Sequence, residues 1–274
     1  MGGKKASMSR TERILSLIDP HGYGLEIGPS HSPIAPKSEG FNVETIDHDT
    51  REGLIRKYRD HPVDINKIEE VDYVWRGERY PDLIGSHEKY DWIIASHVIE
   101  HTPDLIAFLR DCEAVLKPSG TLALAVPDKR YCFDQFRPIS GLASVVDAHF
   151  AKRTTHSPGS MAEFYLNATS KGGKIGWDKN EVGKIEFIHT PEIAAQKMRE
   201  AATQNTYNDI HSWCFTYSSF RLMVHDLFSL DLIQLSETES YDTTGCEFFI
   251  GLSKNGIGLR LSREELLHLT VQHD

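Results

Sequence analysis

The sequence predicts an α/β fold, a doubly wound and mostly parallel sheet with a helical insertion after a strand ending at Val126. Three observations carry that prediction. The first is residues 90–127, YDWIIASHVIEHTPDLIAFLRDCEAVLKPSGTLALAVP. Trp92-Ile93-Ile94-Ala95 is too short for a buried helix and rich in strand formers. Leu105, Ile106, Leu109, Cys112, Val115 and Leu116 then recur at helical spacing, and a second apolar run fills 121–126. Two strands buried on both faces and joined by a helix make a parallel unit. The second observation is an earlier pair of short strands, each ending in an acid, with a glycine turn after the first. The third is the stretch 128–210, too long for one crossover and broken by turn residues.

Composition sets the bounds. At 274 residues, 39% of them hydrophobic, the chain can bury one large core and carry an added subdomain. No apolar stretch nears the roughly 20 residues of a membrane helix, so no span is expected. The start, MGGKKASMSR, is basic but no apolar h-region follows, which argues against a secretory signal. Cys112, Cys132, Cys214 and Cys246 form no CxxC pair, and reduced thiols in a cytoplasmic protein are expected. A formal charge of −10 weighs against a nucleic-acid partner, which needs a basic stripe.

The elements follow in order. Residues 9–18 form a short amphipathic helix with Ser9 as its cap. A first strand, 23–27, runs into Gly28-Pro29-Ser30, where glycine lets a ligand approach the backbone. A second strand, 42–46, ends in Asp47-His48-Asp49, with Asp47 lying 21 positions after Glu26. An acid there is how α/β folds hold a ribose diol, because one carboxylate accepts two hydroxyl hydrogens. Taken singly, Glu26 reads equally well as a solvated strand-end carboxylate and Gly28 as a plain turn. Together with the 90–127 unit they point to a nucleoside-type cofactor, although GxGxxG is absent. Residues 50–60 form a helix, and 71–75 a third strand whose Trp75 either stacks on a base or packs in the core. Lys117-Pro118-Ser119-Gly120 stops the central helix.

YGLEIGPSHSP, VETIDHD, VDYVW and YDWIIASHVIEH…LKPSGTLALAVPD together resemble the successive motifs of class I S-adenosylmethionine (SAM) dependent methyltransferases. The closest type is the small-molecule branch that includes the quinone-biosynthesis methyltransferases. The resemblance covers residues 20–130 and returns weakly at 230–254. It implies a Rossmann-like fold and SAM as cofactor, held by Glu26, Gly28, Pro29, Ser30, Asp47, His48, Val74, Trp75, Ser96 and His97. Glu26 and Gly28 would flank the methionine part, Asp47 the ribose, Val74 and Trp75 the adenine, and Ser96-His97 the sulfonium. One departure stands out: Ser30 and Ser32 occupy positions where the family has further glycines, and their hydroxyls would bond the methionine carboxylate.

A rival motif shares the same stretch. His97-Val98-Ile99-Glu100-His101 spells H-x-x-E-H, the inverted zinc-peptidase pattern. That pattern belongs within a helix, whereas His97 follows directly on a strand and Pro103 comes close behind. Chance spelling is easy in a chain with 14 histidines. No metal is therefore expected, and Glu100 and His101 are read as packing and capping the helix start.

The chain divides into an N-terminal part of the core at 1–128, an insertion at 129–210 and a C-terminal part of the core at 211–274. An insertion at a strand's carboxyl end sits over the cofactor and is expected to be the substrate lid. Helices are read near 140–152 and 191–203, with Pro158-Gly159 and Gly172-Gly173 as turns. A helix capped around Ser218 and an antiparallel pair at 231–236 and 247–252 close the fold. Arg130, Tyr131, Arg137 and Trp213 are the expected acceptor-binding residues. His211, and after it His149, are the candidate bases, since an imidazole titrates near neutrality; either reads equally well as a structural histidine. The expected function is methyl transfer from SAM to a small polar acceptor, an O-methylation of a sugar or glycan-type hydroxyl. The alternatives are a non-catalytic SAM or nucleoside binder and the zinc peptidase.

Overall fold

The computed structural model describes residues 8–204, 206–258 and 260–272; the basic start of the chain, 1–7, lies outside the described residues. Its strands are β1 (Gly24–Ile27), β2 (Val43–Asp47), β3 (Tyr73–Val74), β4 (Tyr90–Ser96), β5 (Leu116–Pro127), β6 (Thr169–Lys171), β7 (Ile185–Phe187), β8 (Ser236–Thr244) and β9 (Glu247–Ser253). Seven of them make one sheet in the order β3-β2-β1-β4-β5-β9-β8. The first five run parallel, and β9 lies antiparallel to both β5 and β8. The expected doubly wound sheet is therefore present.

Both faces of the sheet are covered. The helices are α1 (Arg10–Leu15), α2 (Arg51–Tyr58), α3 (Tyr80–Ile84), α4 (Leu105–Val115), α5 (Leu142–Phe150), α6 (Pro158–Asn167), α7 (Pro191–Thr203), α8 (Tyr217–Ser229) and α9 (Arg263–Gln272). Alternate strand residues point to opposite faces. Ile93 and Ala95 pack with Leu105, Ile106 and Leu109 of α4 and Phe220 and Leu227 of α8. Trp92 and Ile94 pack on the other side with Ile14 and Leu17 from the α1 region, Val43 and Phe249. Gly24 is forced by this arrangement, since a Cβ there would fall 2.1 Å from the Trp92 ring.

Four local readings change. The last strand pair is β8 and β9, so the run expected at 231–236 is only the approach to β8. Ile233 and Leu235 are apolar because they pack on the core, while the strand itself is the polar, half-exposed SETESYDTT. Thr216, not Ser218, caps α8, accepting from the Ser219 amide. Pro158-Gly159 opens α6 instead of a turn: Ser157 caps it and proline suits the first helical position. Finally, α4 passes directly into β5 at Leu116, with an irregularity opposite Tyr90 and Trp92 absorbing the Lys117–Gly120 turn residues.

The segment between β5 and α8 holds α5, α6, the β6–β7 hairpin and α7. It leaves and returns at one point, where Asp128 bridges Phe215 and the Lys129 amide donates to the Phe215 carbonyl at 2.8 Å. Among the described residues no helix is long and apolar enough to cross a membrane.

Candidate functional site

The chain steps from β1 outward to β2 and β3, then returns to β4 and steps the other way. The crevice beyond the carboxyl ends of β1 and β4 is thus the switch point where such sheets take ligands. Two polar groupings stand there.

The first lies at the tips of β1, β2 and β3. Gly28 has φ +67, and its Cβ would meet Val98 Cγ2 at 3.0 Å, so the turn presents bare backbone. Ser30 is also left-handed, at φ +47. Its amide donates to Asp47 Oδ2 at 2.9 Å, while its hydroxyl is buried without a hydrogen-bond partner. Asp47 is buried and further accepts from the His48 amide at 2.7 Å. Glu26 is buried, accepting the amides of Ile34 (2.6 Å) and Ala35 (3.1 Å). Burial pushes its pKa up to about 7, although the two amides pull the other way. Glu26 thereby holds the loop that follows β1. Val74 ends β3, and Trp75 packs at the edge of the core with Nε1 donating to the Glu78 carbonyl.

The second grouping lies at the tip of β4. Ser96 Oγ accepts from Arg10 of α1, which also forks onto Glu247 of β9. His97 is left-handed at φ +54, an uncommon conformation for a residue with a side chain. Its Nε2 meets Glu247 Oε2 at 2.8 Å. Burial works against its protonation, but Glu247 and Glu100 outweigh it and raise its pKa. Glu100 sits in a 3-10 turn, Ile99–His101, and is fully buried with no hydrogen bond to either carboxylate oxygen. Three imidazoles converge on its Oε1: His97 Nδ1 at 3.6 Å, His211 Nε2 at 3.8 Å and His101 Nε2 at 3.9 Å. Behind His211, Nδ1 meets Asp134 Oδ2 at 2.5 Å, and Arg137 in turn holds Asp134 at 2.8 Å. Burial would raise the Asp134 pKa, yet His211 and Arg137 hold it down at about 2. Behind His101, Nδ1 lies 2.9 Å from Asp209 Oδ1, an ion-pair contact. The Glu100 carbonyl accepts the amides of Ser212 and Trp213, which ties the segment leading into α8 to this turn.

Several expected residues are placed differently. Arg137 is 2% exposed and its guanidinium is shared by Asp134, Glu163 and the His211 carbonyl, so it does not face an acceptor. Arg130 forks onto Asp128 through two hydrogen bonds, and its guanidinium stands over the Tyr131 ring. Trp213 is buried, donating to the Thr102 carbonyl. Arg137 and Trp213 are framework, because burying a charge or a ring N–H requires a partner inside the protein, whereas Arg130 is partly exposed with its charge met by Asp128. His149 pairs with Asp104, the cap of α4, and not with the Glu100 group. His211, a candidate base from the sequence, comes to the β4 tip, its Nε2 3.8 Å from Glu100 Oε1. The H-x-x-E-H spelling is not carried on one helix, since His97 is left-handed and residues 99–101 form a single 3-10 turn.

Sequence reasoning passed over Asp134, Asp209, Arg10 and Glu247, and gave Glu100 and His101 only a packing role. Glu100 and His101 carried a signal in the H-x-x-E-H spelling. The other four carried none, because their partners lie 77, 108 and 150 positions away for Asp134, Asp209 and Glu247 respectively.

Comparisons with known proteins agree with this frame. Residues 4–226 match a family described as a methyltransferase domain. Over 48 residues the chain is 38% identical to the ubiquinone biosynthesis O-methyltransferases of two Rhodopseudomonas palustris strains. That match covers 18% of this chain and 19% of each relative, so the chain spans about a fifth of the length of these curated relatives. Similar solved structures include the PH0226 protein from Pyrococcus horikoshii OT3, at 14% identity and a TM-score of 0.45, covering 88% of this chain and 85% of that one. The CcbJ methyltransferase from Streptomyces caelestis is 13% identical with a TM-score of 0.45, over 89% of this chain and 92% of that one.

Proposed function

The chain belongs to the methyltransferase-domain family, and on that premise we propose that it transfers a methyl group from SAM to a hydroxyl of a small polar acceptor, a sugar or glycan end. Family membership implies SAM as the cofactor. The residues at the β1 and β2 tips fit it in kind: Gly28 leaves a cradle that a Cβ would fill, and the Ser30 hydroxyl is a buried polar group without a partner. Asp47 stands beside them, and its carboxylate has acceptor capacity beyond the amides of Ser30 and His48.

Bound SAM supplies an electrophilic methyl group. This chain's part is then to hold the two ends of the reaction in line and keep water out. Asp47 would accept the ribose hydroxyls, Ser30 a polar group of the methionine end, and Val74 and Trp75 would border the adenine. Ser96 and His97 would lie nearest the transfer.

The observation that carries the reading is the second grouping. An acceptor hydroxyl must lose its proton, and the buried Glu100–His211 cluster at the β4 tip is the set of groups able to take or displace it. The insertion supplies Asp134 and Asp209 to this cluster, which supports its role as the cover over the acceptor. An exposed aromatic pair on the insertion, Phe136 and Phe187 with ring centroids 5.9 Å apart, supports a sugar-type acceptor, whose apolar face stacks on such rings. The net charge of −10 supports an acceptor other than nucleic acid, and four free cysteines support a reducing compartment such as the cytoplasm.

Calorimetric titration with SAM and transfer of tritium from labelled SAM to fractionated cell extract test the reading. Asp47→Ala should weaken SAM binding at least tenfold, about 1.4 kcal/mol, because two charge-assisted hydrogen bonds are lost. Asp47→Asn should fall between it and the wild type. SAM affinity unchanged in a folded Asp47→Ala protein would overturn the cofactor site. SAM binding without transfer to any fraction would leave a non-catalytic binder.

A further inference from the structure

Glu100 is the anomaly of this molecule. It has no exposed surface, both of its oxygens lack hydrogen bonds among the described residues, and three imidazole nitrogens lie 3.6–3.9 Å from its Oε1. A buried carboxylate left in this state is costly unless something fills the space between it and its neighbours.

The imidazoles are arranged as ligands would be. His101 and His211 each turn Nε2 toward Glu100, and each has a carboxylate behind its Nδ1, Asp209 at 2.9 Å and Asp134 at 2.5 Å. An imidazole whose far nitrogen is backed by a carboxylate is the usual outer arrangement around a metal-binding histidine, since it fixes the ring and raises its basicity. Asp134 is itself anchored by the buried Arg137, so the ring of His211 is held from two layers out. His97 repeats the pattern on a third side, with Nδ1 toward Glu100 and Glu247 behind Nε2.

The spacing is close to what an ion demands. Bonds of about 2.1 Å in a tetrahedral shell put donor atoms about 3.4 Å apart. The two distances from Glu100 Oε1, 3.8 Å to His211 Nε2 and 3.9 Å to His101 Nε2, exceed that by only a few tenths of an ångström. Ligand atoms of Glu100, His101 and His211 all lie within 4.8 Å of one another. Charge points the same way: among the described residues the four carboxylates Glu100, Asp134, Asp209 and Glu247 are met by three cations, Arg137, Arg10 and Lys57, the last 4.0 Å from Asp209.

We propose that Glu100, His101 and His211 bind a divalent transition-metal ion of the zinc class, with His97 beside the open side. Two imidazoles and one carboxylate suit borderline ions such as Zn²⁺ more than Mg²⁺, which prefers an all-oxygen shell. Three protein ligands leave positions for an oxygen of another molecule. This replaces the expectation of a metal-free β4 tip. It rests on the proposed function in one respect only: if an acceptor hydroxyl binds in the crevice, it can occupy the open position, where the ion makes its proton easier to lose. His211 is then a ligand through Nε2 and not a proton acceptor.

The test uses the full chain. Metal content is measured by mass spectrometry on protein as purified and after dialysis against a chelator, followed by calorimetric titration with ZnCl₂ and MgCl₂. CoCl₂ serves as the coloured probe, since imidazole-ligated Co²⁺ absorbs in the visible. The expected result is one Zn²⁺ or Co²⁺ per chain with Mg²⁺ bound far more weakly. Glu100→Gln and His211→Ala should weaken Zn²⁺ at least about hundredfold, and Asp134→Asn about ten- to hundredfold. A far-ultraviolet circular dichroism melt reports that each variant is folded, and SAM affinity, measured on the same samples, separates the two readings. A wild-type protein that binds SAM but takes up no stoichiometric Zn²⁺ or Co²⁺ overturns the metal site. So does Zn²⁺ binding that is the same in all three variants. Stoichiometric metal, lost in the variants, with no SAM binding would uphold the site and overturn the methyltransferase reading instead.

Discussion

The tips of β1 and β2 and the tip of β4 are neighbours in one sheet, yet they treat their polar groups in opposite ways. At β1 and β2 the carboxylates are satisfied by nearby backbone: Glu26 by amides eight and nine positions on, and Asp47 by Ser30 and His48. At β4 the carboxylate of Glu100 has no hydrogen bond among the described residues; His97 and His101 beside it are local, while His211, Asp134, Arg10 and Glu247 reach the cluster from far along the chain. Local hydrogen bonding builds a loop that can stand by itself. Long-range charge pairing brings Asp134 and Asp209 onto His211 and His101 from positions far apart in the chain. The first suits a general cofactor shared by many acceptors, and the second suits the group that makes the chemistry particular.

The sharpest way to break this contrast is Arg137→Ala. Arg137 is buried between Asp134, Glu163 and the His211 carbonyl, so truncation strands the Asp134 charge. Removing one member of a buried pair costs about 3–5 kcal/mol, which urea unfolding would register as a large fall in midpoint. A loss under about 1 kcal/mol would show that charge pairing is not what docks the insertion.

The second test addresses Glu26. Its folded pKa of about 7 lies above its ordinary value of 4.5, so the folded state binds the proton more tightly than the unfolded state. The contribution to stability is full below pH 4.5 and is lost as pH rises through 7, a span worth about 3 kcal/mol. Thermal melts from pH 5 to 8 should show this fall in the wild type, and Glu26→Gln should flatten it. An equal slope in both proteins would mean that the β1 loop is not held by a half-protonated carboxyl.

The smallest effect expected is that of Ser30→Ala. The Ser30 hydroxyl has no partner within the protein, so its loss should leave stability within about 0.5 kcal/mol. SAM affinity should fall by about three- to tenfold, the net worth of one hydrogen bond. A variant that lost stability but kept SAM affinity would reverse the roles given to the two tips.

How much was legible follows the same division. Gly28, Ser30, Asp47 and the strand–helix–strand unit at 90–127 could be read directly, because strand tips and helix caps are fixed by residues a few positions apart. Arg137 and Trp213 were misplaced toward the acceptor because a cation and an indole look alike in sequence whether they line a cleft or fill a core. His211 could be singled out as a titratable group, but the groups it meets, Asp134 and Glu100, were not visible.

The sequence by itself determined the parallel sheet, the order of its first five strands' motifs and the acid at the tip of β2, since hydrophobic period and turn chemistry are local properties. It did not determine that residues 97–101, 134–137 and 209–211 meet around one buried carboxylate. That convergence depends on how a long insertion folds back to the point it left, at Asp128 and Phe215. Only the tertiary structure decides it, because pairing between charges so far apart in the chain is set by packing and not by pattern.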